Sequence, residues 1–274
     1  MARSAGRVAG LALAFLTAGL LACGGGDEAV VADGTPSGRI TVFAAASLRG
    51  AFEEIAAGFE ATYGGTAVDF NFAGTPTLRT QLEQGARADV FASANRQQMD
   101  LALESGVVEP PFSTFARNSL VIITPADNPG NVKSPADLEH EGLKLVVARE
   151  EVPVGVFTRQ ALEAMSAAAV FGAGFGEAVL DNVVSLESNV KQVVAKVELG
   201  EADAGIVYET DVTEALAANL ARIEIPDALN VVAEYPAALV TDRGNDATAR
   251  AFLDYLLSEP GQAILARHGF LSAA

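Results

Sequence analysis

The 274-residue chain holds one cysteine, Cys23, and two histidines, His140 and His268. A lone cysteine excludes a disulfide framework and a thiolate metal site. With two histidines and neither a G-x-S-x-G nor an H-E-x-x-H motif, no nucleophile has a base and no helix carries a zinc pair, so catalysis is not expected. Both histidines precede a glycine by one or two residues, at expected helix C-termini where an imidazole complements the dipole. Basic residues are scarce: 18 Lys and Arg stand against 35 Asp and Glu, for a formal net charge of −17. No Lys/Arg stripe interrupts that field, which excludes nucleic acid and anionic membrane surfaces as partners. Any small anion must then be held by local dipoles.

The apolar stretch VAGLALAFLTAGLLA at residues 8–22 is too short to span a bilayer. Behind Arg3 and Arg7 it reads as a secretory signal, residues 1–22. It runs into Leu20-Leu21-Ala22-Cys23, which resembles a bacterial lipobox, so Cys23 is expected to carry a lipid that anchors the protein to the membrane. Residues 23–38 are small, polar and aperiodic, a tether of about 20 Å by random-coil scaling. Without the signal the charge becomes −19 over 252 residues. The remaining length suits one large domain or two ordinary ones.

From Arg39 on, strand-like runs alternate with helical stretches: ITVFAAA, AVDFNFA, DVFAS, SLVIITP, LKLVVA, NVVSL, AGIVY and YPAALV. That alternation predicts an α/β fold of βαβ units. Leu48, Phe52, Ile55 and Phe59 recur at i, i+4, i+7 and i+11, one face of an amphipathic helix, which puts Ser47 at its N-cap. The same junction recurs three times. Pro76 fits position N1 with Thr75 as N-cap, Pro153 fits N1 ahead of Val154, and Ser188 or Asn189 caps a helix opening at Val190. Each start alone is ordinary capping. Four converging starts form an anion site without Lys or Arg, because first-turn N–H groups are unpaired and carry about half a positive charge. Tyr208, at the end of AGIVY, adds a hydroxyl at the strand edge where open α/β sheets bind ligands. The Gly172–Gly176 cluster does not fit the dinucleotide fingerprint and reads as a loop.

These segments, together with QLEQGARADVFASA, RNSLVIITP, EVPVGVFTRQAL, AGIVYETD and YLLSEPGQAILARHGF, resemble the molybdate-binding protein of bacterial ABC transporters from about Arg39 to Phe270. The resemblance implies a type II periplasmic-binding-protein fold of two lobes. Lobe I would be 39–115 plus 237–274 and lobe II 116–236, with crossings near Phe115–Asn118 and Glu234–Pro236. It implies oxyanion contacts at Ser47 and Thr75 through hydroxyl and backbone N–H, at Val154 and Val190 through backbone N–H, and at Tyr208 through its hydroxyl. Molybdate, with tungstate beside it, would be bound only as the oxyanion, with no direct protein–metal ligand and no cofactor. A monomer anchored outside the cytoplasm would pass it to a membrane permease.

There are two departures, of which the second bears on affinity. Gly74-Thr75-Pro76 stands where many members carry consecutive serines, and Glu150-Glu151 places two carboxylates before Pro153. A donor-only pocket suits a fully deprotonated oxyanion, because a protonated one brings an O–H with no acceptor. Sulfate or another tetrahedral oxyanion is the alternative ligand. An organic acid would call for a bidentate arginine, and none stands at the four helix starts.

Overall fold

Ser37 and Gly38 already belong to the fold. The Ser37 N–H donates to Thr248 Oγ1 at 2.9 Å, its carbonyl accepts from Asn245 Nδ2 at 2.6 Å, and the Gly38 N–H donates to the Gly65 carbonyl. The computed structural model describes residues 35–273; the signal, Cys23 and the tether up to residue 34 lie outside them.

The first half runs β1 (Gly38–Ala45), α1 (Arg49–Thr62), β2 (Thr66–Ala73), α2 (Thr75–Glu83), β3 (Val90–Ala92), α3 (Arg96–Glu104) and β4 (Ser113–Asn118). After Ser119 the chain continues with β5 (Leu120–Pro125), β6 (Leu145–Ala148), α4 (Pro153–Ala167), α5 (Phe175–Asp181), β7 (Val183–Glu187), α6 (Val190–Glu198), β8 (Ala204–Tyr208) and β9 (Leu220–Glu224). It returns through β10 (Ala233–Leu239), α7 (Asp246–Leu257) and α8 (Glu259–Arg267).

Two five-stranded sheets result, ordered β2-β1-β3-β10-β4 and β7-β6-β8-β5-β9. Each has three parallel strands, then an antiparallel fourth and an antiparallel edge strand, so the two lobes repeat one plan. The chain changes sheet at Ser119 and again across residues 225–232. The segments around Phe115–Asn118 and Glu234–Pro236 form the β4/β10 ladder beside those passages. Asn230 ties the passages together: its Oδ1 accepts from the Leu120 N–H at 3.1 Å and its Nδ2 donates to the Leu120 carbonyl at 2.8 Å, as a strand partner would.

The helical stripe read from the sequence is buried: Leu48, Phe52, Ile55 and Phe59 are all fully covered. Phe52 meets Phe115 and Phe252 with ring centroids 5.6 and 6.2 Å apart. Burying each such side chain contributes about 1.5–3 kcal/mol, enough to fix α1 on the sheet and hold the turn before it in place.

Candidate functional site

Parallel strands of both sheets end facing the cleft, and the helices that follow four of them, β1, β2, β6 and β7, begin there. Ser47 is not an N-cap. The chain leaves β1 into a 3-10 turn, Ala46–Leu48, before α1 opens at Arg49, and this tight turn rotates the Ser47 side chain inward, 3.2 Å from the Tyr235 hydroxyl. Nor is Thr75 a cap. Gly74 holds that position, extended at φ −61°, with Thr75 first in α2 and Pro76 second. Glycine is required there, since a Cβ would stand 2.2 Å from the Ser188 carbonyl oxygen of the opposite lobe. Pro153 opens α4 at N1 as read, with Val154 next. Asn189 caps α6, its side chain accepting from the Gln192 N–H at 3.2 Å, with Val190 at N1.

Ser47, Thr75, Val154, Val190 and Tyr208 all line one cavity. Ala45 and Ala46 join them, whereas Ala44 is buried inside the sheet against β2 and β3. The cavity is small, with a volume of about 20 Å³. Drug-sized ligands occupy roughly 300–1,000 Å³, so this space fits an ion of a few atoms. No charged side chain is among the lining residues. What faces the interior is methyl groups, hydroxyls and the first turns of helices, whose N–H groups lack intrahelical partners.

Tyr208 is 1% exposed, and its hydroxyl has no hydrogen-bond partner among the described residues. Packing aims it: its ring stands edge-on to Tyr235 at 5.7 Å and to Phe157 at 6.5 Å. Burial pushes its pKa up, and the neighbouring Tyr235 and Asp211 push the same way, so the phenol keeps its proton and is a donor. The nearest cation in sequence is not offered to the cavity. Lys191 Nζ lies 2.8 Å from Asp211 Oδ1, and Asp211, fully covered, also takes the Tyr208 N–H on Oδ2 at 3.3 Å. Burial raises the Asp211 pKa while Lys191 draws it down.

Glu150 and Glu151 point away. The Glu150 side chain is 79% exposed and 3.8 Å from Arg159, and Glu151 is exposed, its carbonyl accepting from Gln98 Nε2 of the opposite lobe at 3.4 Å. Sequence reading missed Gly74 and Ala94 as parts of the site. Ala94 lies in the ADVFASA segment, which carried the resemblance without a role, and its N–H donates to Thr75 Oγ1 at 3.3 Å. Among the described residues no group of His, Cys, Asp or Glu is placed to hold a metal ion.

Val190→Pro isolates one donor. Proline is accepted at N1, so the fold should stand and calorimetry should show oxyanion affinity about tenfold weaker, the loss of one hydrogen bond to charge. Val190→Ala should bind as the parent does.

The family model for bacterial extracellular solute-binding protein matches residues 40–271. The molybdate-binding protein ModA of Mycobacterium tuberculosis strain H37Rv is 40% identical over 263 residues, 95% of this chain and 96% of that one. Among solved structures, the periplasmic molybdate-binding protein of Azotobacter vinelandii superposes with a TM-score of 0.74 at 21% identity, over 86% of this chain and 100% of that one. The sulfate-binding protein SubI of Mycobacterium tuberculosis gives 0.78 at 18%, over 86% and 87%. At such identities the likeness carries the two-lobed α/β fold of periplasmic binding proteins and leaves the ligand open. The family match over most of the chain and the 40% identity decide membership: this chain belongs to the bacterial extracellular solute-binding proteins, as a relative of the molybdate-binding proteins among them.

Proposed function

We propose that this protein captures molybdate, and tungstate with it, outside the cytoplasm and delivers it to the permease of an ABC transporter. The observation that carries the reading is the Tyr208 hydroxyl, buried and unpartnered where four helix starts converge on a cavity with no charged lining. A tetrahedral dianion supplies the acceptor that this hydroxyl and the first-turn N–H groups lack. The molybdate-binding relative at 40% identity favours molybdate over sulfate. Five donors from two lobes favour the closed state, because the anion meets all of them only when the cleft is shut. Binding without catalysis, a lipid on Cys23 following Leu20-Leu21-Ala22, and a monomeric state complete the proposal.

The test is a thermal melt with molybdate, tungstate, sulfate and citrate added in turn. Molybdate and tungstate should raise the melting temperature, since a ligand at a thousand times its Kd adds about 4 kcal/mol to stability. A shift with sulfate and none with molybdate would replace the ligand; a shift with citrate alone would refute the oxyanion reading.

A further inference from the structure

Ser47 and Tyr235 share a hydrogen at 3.2 Å, and the contact by itself does not say which oxygen donates. The direction matters. A Ser47 that donates to Tyr235 shows the cavity a lone pair, whereas a Ser47 that accepts from it keeps a hydrogen for the ligand.

We infer that Asn118 and Tyr235 are positioning residues that fix Ser47 as a donor into the cavity, and thereby set its preference for oxyanions without a proton. The inference deepens the oxyanion reading above and rests on it for its ligand. Asn118 is fully buried at the end of β4. Its Oδ1 takes the Ser119 N–H at 3.0 Å, which settles the orientation of the amide. The Nδ2 group then faces Thr210 Oγ1 at 2.8 Å and the Tyr235 hydroxyl at 3.4 Å. An amide nitrogen has hydrogens and no lone pair to offer, so the Tyr235 oxygen accepts from it. Tyr235 is itself fully buried and burial raises its pKa, so its hydrogen stays and has Ser47 Oγ to go to. Ser47 accepts that hydrogen and turns its own to the ligand. Thr75 is polarised alike by the Ala94 N–H. Both lobe I hydroxyls are therefore set to turn a hydrogen toward the ligand.

The relay reads Ser119 N–H to Asn118, Asn118 to Tyr235, Tyr235 to Ser47, Ser47 to anion. Asn118→Asp reverses it at constant shape. A carboxylate accepts at both oxygens, so Tyr235 donates backwards and Ser47 shows a lone pair to the cavity. Calorimetry at mildly alkaline pH with molybdate and with monohydrogen phosphate reads the consequence. Molybdate should weaken at least about tenfold in Asn118→Asp, with phosphate weakened less or strengthened; Tyr235→Phe, which removes the relay without reversing it, should fall between. Equal weakening of both ligands in the two variants would reduce the pair to packing, and wild-type affinities would refute the inference.

A ligand-free readout separates this from the oxyanion reading. All four residues sit on the sheet of lobe I or its loops, and the burial of the Tyr235 hydroxyl is expected to slow its proton exchange enough for NMR. It should show a nuclear Overhauser contact to the Ser47 β-hydrogens; a contact to the Asn118 side chain in its place overturns the relay whatever the protein binds. If molybdate fails to bind while the Ser47 contact is present, the ligand reading falls and the relay stands.

Discussion

Tyr208→Phe is expected to cost binding without costing stability. The hydroxyl is buried and makes no hydrogen bond among the described residues, and leaving such a group unsatisfied costs about 1–3 kcal/mol. Removing it leaves the ring and its edge-on contacts with Tyr235 and Phe157 in place. Without ligand, the variant should therefore melt at the same temperature as the parent or higher. With molybdate it should be weaker by about a hundredfold, the upper range for a hydrogen bond to a charged partner in a desolvated site. A structural tyrosine would lose stability and leave binding alone. Paired melts and calorimetry on one preparation distinguish the two outcomes.

Gly74→Ala should disable capture while sparing the fold. Gly74 has an ordinary extended φ of −61°, so alanine carries no backbone strain there. Its Cβ would nonetheless stand 2.2 Å from the Ser188 carbonyl oxygen, on the far side of the cleft. Relieving that overlap takes about 1 Å of opening, a misplacement of the size that costs roughly a hundredfold where several groups must act together. Val154, Val190 and Tyr208 all lie on the displaced side. The expected result is an unchanged melt without ligand, at least a hundredfold weaker molybdate binding, and small-angle scattering that stays at the open dimension when molybdate is added. Full affinity in Gly74→Ala would mean that the shut cleft is not the binding state.

Local chemistry was enough to read some of this from the sequence. The stripe Leu48, Phe52, Ile55, Phe59 is a period of one helix face, Pro153 declares its own N1, and Asn189 caps through its own side chain. The five positions read as contacts come together at one cavity for the same reason, since each lies at a strand-to-helix junction or a strand end. Elsewhere the deciding partner was remote. The glycine at position 74 is required by a carbonyl 114 residues away at Ser188, and the hydroxyl of Ser47 is met by one on β10. The strands β4, STFARN, and β9, LARIE, were missed because polar and charged residues break up their few apolar ones and leave no run that reads as a strand. Asn118 and Tyr235 have no motif at all, because their significance lies in which atom of each faces the other.

The amide of Asn230, clasped to both backbone groups of Leu120, has a mechanical reading. Two separate connections between lobes permit two independent rotations, and a cleft so hung can skew as well as shut. Fastened side by side, the connections act as a single axle, leaving opening angle as the one coordinate along which the lobes travel. On the proposed reading, capture is then movement along that one angle, and the bound ion sets how long the cleft stays latched.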